Sequence, residues 1–185
     1  ARRTFAYDAR CNLVTEVDPR GYPRYHAYDG NSNRTQTLDA LLNPTYFRFD
    51  EEERLAGQKN ARLFETVFTY DSLGRKLSMD DPDMGKWTYT YDAVDNLTSQ
   101  TDARGVTVTF TYDALNRLTQ KSYTIPQTSD VRPQTSVTYS YDNPAKTFSK
   151  GKLTEITDGS GSSGFEYDTL GRLVKESKTI DSTTS

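Results

Sequence analysis

A Tyr-Asp pair returns every 21 residues through much of this 185-residue chain, and that period constrains what the chain can fold into more than any other feature. Tyr7-Asp8, Tyr28-Asp29, Phe49-Asp50, Tyr70-Asp71, Tyr91-Asp92 and Tyr112-Asp113 keep the spacing, and Tyr141-Asp142 and Tyr167-Asp168 follow after steps of 29 and 26 residues. A unit this short cannot bury a core of its own, so each copy must lean on the next. The copy starting at Tyr91 reads strand, tight turn, strand, tight turn. Val106, Val108, Phe110 and Tyr112 share one parity while Thr107, Thr109 and Thr111 take the other, the alternation of a half-buried strand. Asp113-Ala114-Leu115-Asn116-Arg117 supplies a turn, and Leu118 to Lys121 begins the return strand. Gly74 and Gly171 occupy the turn position that demands positive φ, and Asp95 and Asn116 are expected to adopt the same left-handed conformation.

Composition decides what kind of sheet this can be. Hydrophobic residues make up only 34% of the chain, too few for a thick two-layer core, yet 13 tyrosines and abundant threonine are wrong for disorder. A single layer held by side-chain ladders fits. Two strands of about 6 or 7 residues per copy, about 4.8 Å apart, advance the sheet by about 9.6 Å per copy and give about 15 strands. A sheet that wide twists and curls. The expected fold is therefore all-β: an antiparallel β-hairpin ribbon, a curved, spiralling single-layer sheet.

The whole of residues 1–185 reads as one array of about eight copies, irregular at 124–134 and 143–152, and as a piece of a longer protein. Copy two carries Arg34 where Leu is usual, and copy three carries Glu53 where a turn Gly is usual. Ile125 to Pro133 is expected to protrude as a loop, and a second insertion lies around Pro144 to Gly151. Asp158 to Gly164, rich in Gly and Ser, is expected to be a flexible turn, and Ser182 to Ser185 a polar tail.

Candidate chemistry is sparse. A net charge of −3 with scattered Lys and Arg gives no electrostatic footprint for nucleic acid, and no apolar run is long enough to enter a membrane. The one cysteine, Cys11, sits in a turn slot, and the one histidine, His26, at a position that is apolar or aromatic in other copies; each reads as a structural variant. One histidine makes no nucleophile-base pair, so no catalytic residue and no cofactor is expected. The Tyr of each pair should recur at one height on the sheet, with Leu97, Leu118 and Leu173 on the strands between. The Asp should accept backbone N–H groups in its own turn. Its alternative role, a carboxylate row binding calcium, is disfavoured by a spacing of about 9.6 Å. Arg54, Arg75, Arg117 and Arg172 end the same turns and can offset the Asp charge.

The phrases YDAVDNLTSQTDARGVTVTFTYDALNRLT, YDSLGRKLSMDDPDMGKW and YDTLGRLVKES resemble the Rhs/YD-repeat family over nearly the full length. The resemblance implies a hairpin ribbon forming part of a hollow shell. In bacterial Rhs proteins and insecticidal toxin complexes such shells hold a toxic C-terminal segment; in teneurins a related shell belongs to an adhesion receptor. The family's self-cleaving aspartyl protease lies beyond the repeats, so no catalytic aspartate is carried over. On this basis the chain is a non-enzymatic structural segment of a shell that encapsulates a toxin or effector, secreted or at a bacterial cell surface, its partners being the remaining repeats and the C-terminal effector of the parent chain. The alternative is a carbohydrate- or protein-binding adhesion module using exposed rings, with Trp87 and Tyr89 as candidate glycan contacts. A third is a self-assembling extracellular fibre, because sheet edges accept further strands.

Overall fold

The computed structural model describes residues 2–126 and 136–180. All of the regular structure in them is strand, sixteen strands against the fifteen expected, in one open antiparallel sheet whose order is that of the chain. Two compact units, Ala1–Trp87 and Thr88–Ser185, divide it. The first holds β1 (Thr4–Tyr7), β2 (Leu13–Val17), β3 (Pro23–Tyr28), β4 (Arg34–Leu38), β5 (Pro44–Phe49), β6 (Leu55–Lys59), β7 (Glu65–Tyr70) and β8 (Lys76–Asp81). β9 (Gly85–Tyr91) begins there and finishes in the second, which continues with β10 (Leu97–Thr101), β11 (Thr107–Tyr112), β12 (Leu118–Thr124), β13 (Ser136–Tyr141), β14 (Leu153–Asp158), β15 (Gly161–Tyr167) and β16 (Leu173–Ile180).

Each hairpin that closes on a Tyr-Asp turn carries the same irregularity. The register shifts beside Tyr7, Tyr28, Phe49, Tyr70, Leu97, Tyr112, Tyr141 and Tyr167, so that Tyr112 opposes Leu118 while Thr111 opposes Gln120. Such a bulge adds one residue to the return strand and re-aims the side chains next to the turn. The hairpins closing at the other end of the strands keep an even register, as in Gln100 opposite Val108.

The two faces differ. In the second unit Val108, Phe110 and Tyr112 lie on one face, with Tyr123 opposite Val108 and Tyr139 opposite Ile156. The other face is a hydroxyl ladder: Thr90 bonds Ser99 at 2.7 Å, Thr101 bonds Thr107 at 2.8 Å and Thr111 bonds Thr119 at 3.0 Å. In the first unit Thr69 and Ser78 repeat the contact at 2.7 Å. Only Ala56 and Val108 are buried hydrophobic residues among those described. Stability is therefore spread over cross-strand pairs worth roughly 0.2–1 kcal/mol each rather than gathered in a core.

Some expectations are corrected here. The Gly/Ser run from Asp158 to Gly164 is an ordered hairpin, with a two-residue connection, Gly159-Ser160, and the rest in β14 and β15. Backbone pairing needs no side chain, and two neighbours hold this strand: Glu155 opposes Gly164 on one side and Ser177 opposes it on the other. Glycine is required there, because a Cβ on Gly161 (φ 138°) would lie 2.1 Å from the Thr179 carbonyl oxygen. The insertion at 143–152, expected simply as an irregularity, packs against the sheet. Lys146 donates to the carbonyls of Thr154 and Phe165, and Thr154, fully buried, donates to the Ser140 carbonyl. Most of the loop expected at Ile125 to Pro133 and the tail Ser182 to Ser185 lie outside the described residues.

Replacing Gly161 by valine should lower the urea midpoint by the equivalent of about 1–3 kcal/mol, the usual cost of enforced backbone strain. Gly30→Ala, where nothing lies within 4 Å, should leave it within experimental error. Equal midpoints for the two variants would remove the close-packing account of β15.

Candidate functional site

The Tyr-Asp positions build one repeating device from a five-residue loop. Asp8, Asp29, Asp50, Asp71, Asp92, Asp113 and Asp168 each donate their N–H to the carbonyl four residues on and accept, at their own carbonyl, the N–H three residues on. Their Oδ1 then accepts the N–H groups of residues two and four ahead; for Asp113 these come from Leu115 at 2.8 Å and Arg117 at 3.0 Å. The fourth loop residue must turn left-handed to close the loop. Gly74 (φ 82°) and Gly171 (74°) do so without cost, and Asp95 (69°) and Asn116 (59°) do so as expected. Cys11, Ser32 and Glu53 adopt the same conformation at φ 64°, 66° and 61°. Copy three thus closes normally despite its glutamate.

The fifth loop residue finishes the clamp. Its side chain donates to the second carboxylate oxygen: Asn12 to Asp8 at 3.0 Å, Asn96 to Asp92 at 2.9 Å, and Arg54, Arg75, Arg117 and Arg172 to their aspartates at 2.7 Å each. Arginine also reaches the next hairpin. Arg54 donates to the Asp71 carbonyl at 2.9 Å with its guanidinium 5.1 Å above the Tyr70 ring. Arg117 pairs with Asp142 at 2.7 Å and lies 4.4 Å above Tyr141. Arg172 keeps its own Asp168 and is 72% exposed, against 23–26% for the other three.

Asp142 departs from the pattern. It is itself left-handed (φ 55°), and its N–H reaches Lys152 across the insertion. Arg117 Nη1 is consequently buried without a partner.

The tyrosine hydroxyl supplies a contact that side-chain periodicity did not reveal. Tyr28 donates to the Leu13 carbonyl, Tyr70 to Leu55, Tyr112 to Leu97, Tyr141 to Leu118 and Tyr167 to Leu153, at 2.8–3.0 Å. Each ring so spans back to the strand before its own. Phe49 has no hydroxyl to do this. Burial foremost raises the Tyr70, Tyr112 and Tyr141 hydroxyls above their ordinary value, which keeps them donors.

Turns at the opposite end use the same loop with no tyrosine before the first residue. Asp18, Asp39, Asn60 and Asp102 each accept two backbone N–H groups. Their left-handed residues include Leu42 (φ 63°) and Leu63 (67°), a choice sequence reasoning does not anticipate because leucine pays a Cβ penalty there.

The candidate glycan contacts are only partly accessible. Trp87 and Tyr89 are each half-buried, their alternation placing them on the less exposed side of β9, and the Trp87 indole N–H is buried without a partner. Rings that stand exposed include Tyr22, Tyr25 and Tyr46. Tyr46 borders a groove of about 440 Å³ with Arg48, Gly57, Lys59 and Glu65. Among the described residues no three His, Cys, Asp or Glu side chains gather as metal ligands.

The loop carboxylates sit below their ordinary value near 3.8. For Asp8 the main cause is the Asn12 amide, for Asp113 the Arg117 backbone N–H, and for Asp39 the Asn43 amide. A carboxyl depressed by folding stabilises the fold above its unfolded value, and that contribution is lost as pH falls through the lowered folded value. The urea midpoint should therefore drop on acidification from about pH 5 to about pH 3, as these loops protonate. A flat profile would contradict the clamp. Separately, Tyr112→Phe should cost about 0.5–1.5 kcal/mol by chemical denaturation, one hydrogen bond with the ring kept. No loss would show that the hydroxyl contact is unimportant.

Comparison with known proteins agrees with this geometry. Residues 91–124 and 149–182 match the RHS repeat family. No curated protein matches by sequence. Among solved structures, TcdB2-TccC3-TEV is similar at 14% identity and TM-score 0.71, over 98% of this chain and 11% of that one. TcdB2-TccC3-Cdc42 and TcdB2-TccC3 without its hypervariable C-terminal region are each similar at 18% identity and TM-score 0.74, over 93% of this chain and 10% of theirs. The chain thus spans about a tenth of the solved chains it matches. Residues 91–124 and 149–182 thus carry the RHS repeat, and the same Tyr-Asp hairpin recurs in the copies between and before them.

Proposed function

We propose that the chain is a wall segment of an Rhs-type shell that encloses a toxin or effector segment of its parent protein, secreted from a bacterium and without enzymatic activity of its own. The observation that carries this is the rim of linked turns. Arg10 donates to the Gly30 carbonyl, Arg54 to Asp71 and Asn96 to Asn116, and Arg117 pairs with Asp142, so that hairpin is tied to hairpin where a shell wall needs continuity. The fold likeness to TcdB2-TccC3, one form of which lacks a hypervariable C-terminal region, supports a wall and a separable C-terminal segment. Curvature of the sheet, expected from strand twist, would give the wall an inside.

In the parent protein, an enclosed effector should resist added protease. Thr109→Pro, which puts a ring into the central strand β11, should open the wall and speed cleavage of the effector. Rapid cleavage of the effector in the unaltered protein would reject the reading.

A binding role has one observation in its favour, the exposed Tyr46 ring beside the Arg48 and Lys59 groove, since ring platforms with nearby donors suit sugars. Calorimetry with an oligosaccharide panel at millimolar concentration is expected to show no saturable heat. Saturable heat abolished by Tyr46→Ala, with the fold kept, would promote this reading.

A further inference from the structure

Copy two breaks the repeat at two places that the turn clamp and the Tyr ladder do not use. His26 stands where Phe5, Phe47, Phe68, Tyr89, Phe110, Tyr139 and Phe165 stand in their copies, two residues before the motif tyrosine. Arg34 stands where Leu13, Leu55, Leu97, Leu118, Leu153 and Leu173 follow the turn; copy four also departs there, with Lys76. The fold brings both together with Arg24 in one groove of about 410 Å³ over β3, β4 and β5. Thr37, Thr45 and Gln58 line the same groove with neutral donors.

The cations are available. Among the described residues neither Arg24 nor Arg34 makes an ion pair or a side-chain hydrogen bond; Arg34 only rests over the Phe47 ring at 5.1 Å. His26 Nδ1 lies 3.0 Å from Thr37 Oγ1, which leaves Nε2 facing no protein partner. The acids nearby take their hydrogen bonds elsewhere, although the Arg24 charge still acts on Asp39. Asp39 lines the groove, but its Oδ1 accepts from Leu41 and Asn43 and its Oδ2 from the Asn43 amide. Glu16, on β2 opposite Arg24, pairs with Arg3 at 3.2 Å. β5 contributes only Thr45 and Phe47 to this groove besides Pro44.

We propose that this groove binds a phosphate monoester, its dianion held between the Arg24 and Arg34 guanidiniums with His26 as third donor. Guanidinium forks match phosphate oxygens, and a phosphate whose second ionisation falls near pH 6 matches an imidazole that charges in the same range. A monoanionic sulfate ester offers half the charge. Burial foremost, then Arg34 and Arg24, hold His26 below its ordinary value in the empty groove, against an opposing pull from Glu16. A bound dianion reverses the balance of neighbouring charge, so binding and protonation of His26 reinforce one another.

The single histidine makes the test direct, because its ring signals are unique in a proton NMR spectrum. Inorganic phosphate titrated at constant ionic strength should shift them saturably and raise the His26 titration midpoint, whereas methyl sulfate, a monoanionic ester, at the same strength should act at least several-fold more weakly. Phosphoserine and a sugar phosphate, run beside free phosphate, report by their relative affinity whether peptide or sugar carries the group. Arg34→Leu restores the residue most other copies carry and so keeps the hairpin; it should weaken phosphate about tenfold, the loss of one charged hydrogen-bonding partner. Arg24→Gln should weaken it as well, with an unchanged circular-dichroism spectrum. Signals that ignore phosphate, equal response to methyl sulfate, or undiminished binding by Arg34→Leu would each overturn the proposal.

Discussion

The structure depends on one carboxylate oxygen accepting two backbone N–H groups inside a five-residue loop. A single-layer sheet has no core to select its register, and a slip of one residue would exchange its two faces. The loop supplies the missing selection. By fixing residues one, three and five of each turn, Asp113 Oδ1 sets where β11 ends and β12 begins, and the bulge at Tyr112 then follows in the same place in each copy. The loops at the opposite end, built on Asp18, Asp39, Asn60 and Asp102, do the same without the bulge. Asn60 shows that the requirement is an acceptor oxygen, since its neutral Oδ1 takes N–H groups at 2.9 and 3.1 Å just as a carboxylate does.

Arginine supplies several of the contacts by which a loop reaches beyond itself, although neutral Asn96 also reaches Asn116. Asparagine at the fifth position closes Asp8 and Asp29 locally, while arginine closes its own Asp and has donors to spare for the neighbouring hairpin. The tyrosine works in the opposite direction, spanning back from β11 to the Leu97 carbonyl on β10. Arg54 over Tyr70 joins the two systems, with the cation face-on to the ring and both polar ends bonded. Where the insertion before Lys152 turns Asp142 left-handed, Arg117 trades the carbonyl contact for a carboxylate and is left with one buried N–H unpaired. That is the local cost of lengthening a loop inside a periodic rim.

Much of this was legible in the sequence, because period-2 alternation and turn chemistry are both local signals. The strand-turn order, the left-handed Gly74, Asp95 and Asn116, and the Arg-Asp pairing in the Tyr-Asp turns could all be read from residue type and spacing. What could not be read is set by neighbours. Gly161 and Gly164 look like a flexible linker in isolation, but β14 and β16 hold them from both sides, and the lack of a side chain is what lets Thr179 and Lys146 come close. Leu42 and Leu63 give no hint of positive φ, since the loop geometry imposed by Asp39 and Asn60 overrides the leucine preference. Exposure of the Trp87 and Tyr89 rings was required only by the glycan-binding alternative; alternation along β9 directs them to the less accessible side.

An array of this kind also explains how one copy can carry unusual residues without undoing the others. When each hairpin contacts only the next, stability is close to a sum of local terms, and a substitution is felt by its own copy and its two neighbours. The clamp in copy two is complete, with Asp29 accepting from Asn31 and Asn33, Ser32 left-handed at its fourth position, and Tyr28 bonded to Leu13. Register is therefore fixed by groups other than His26 and Arg34. Those two positions are released from the packing role that aromatic residues and, in the copies other than copy four, leucine perform elsewhere, and a polar groove forms where the ladder would otherwise continue. In a protein whose core is one long series of equivalent contacts, a departure from the series is where selection has room to act on something other than the fold.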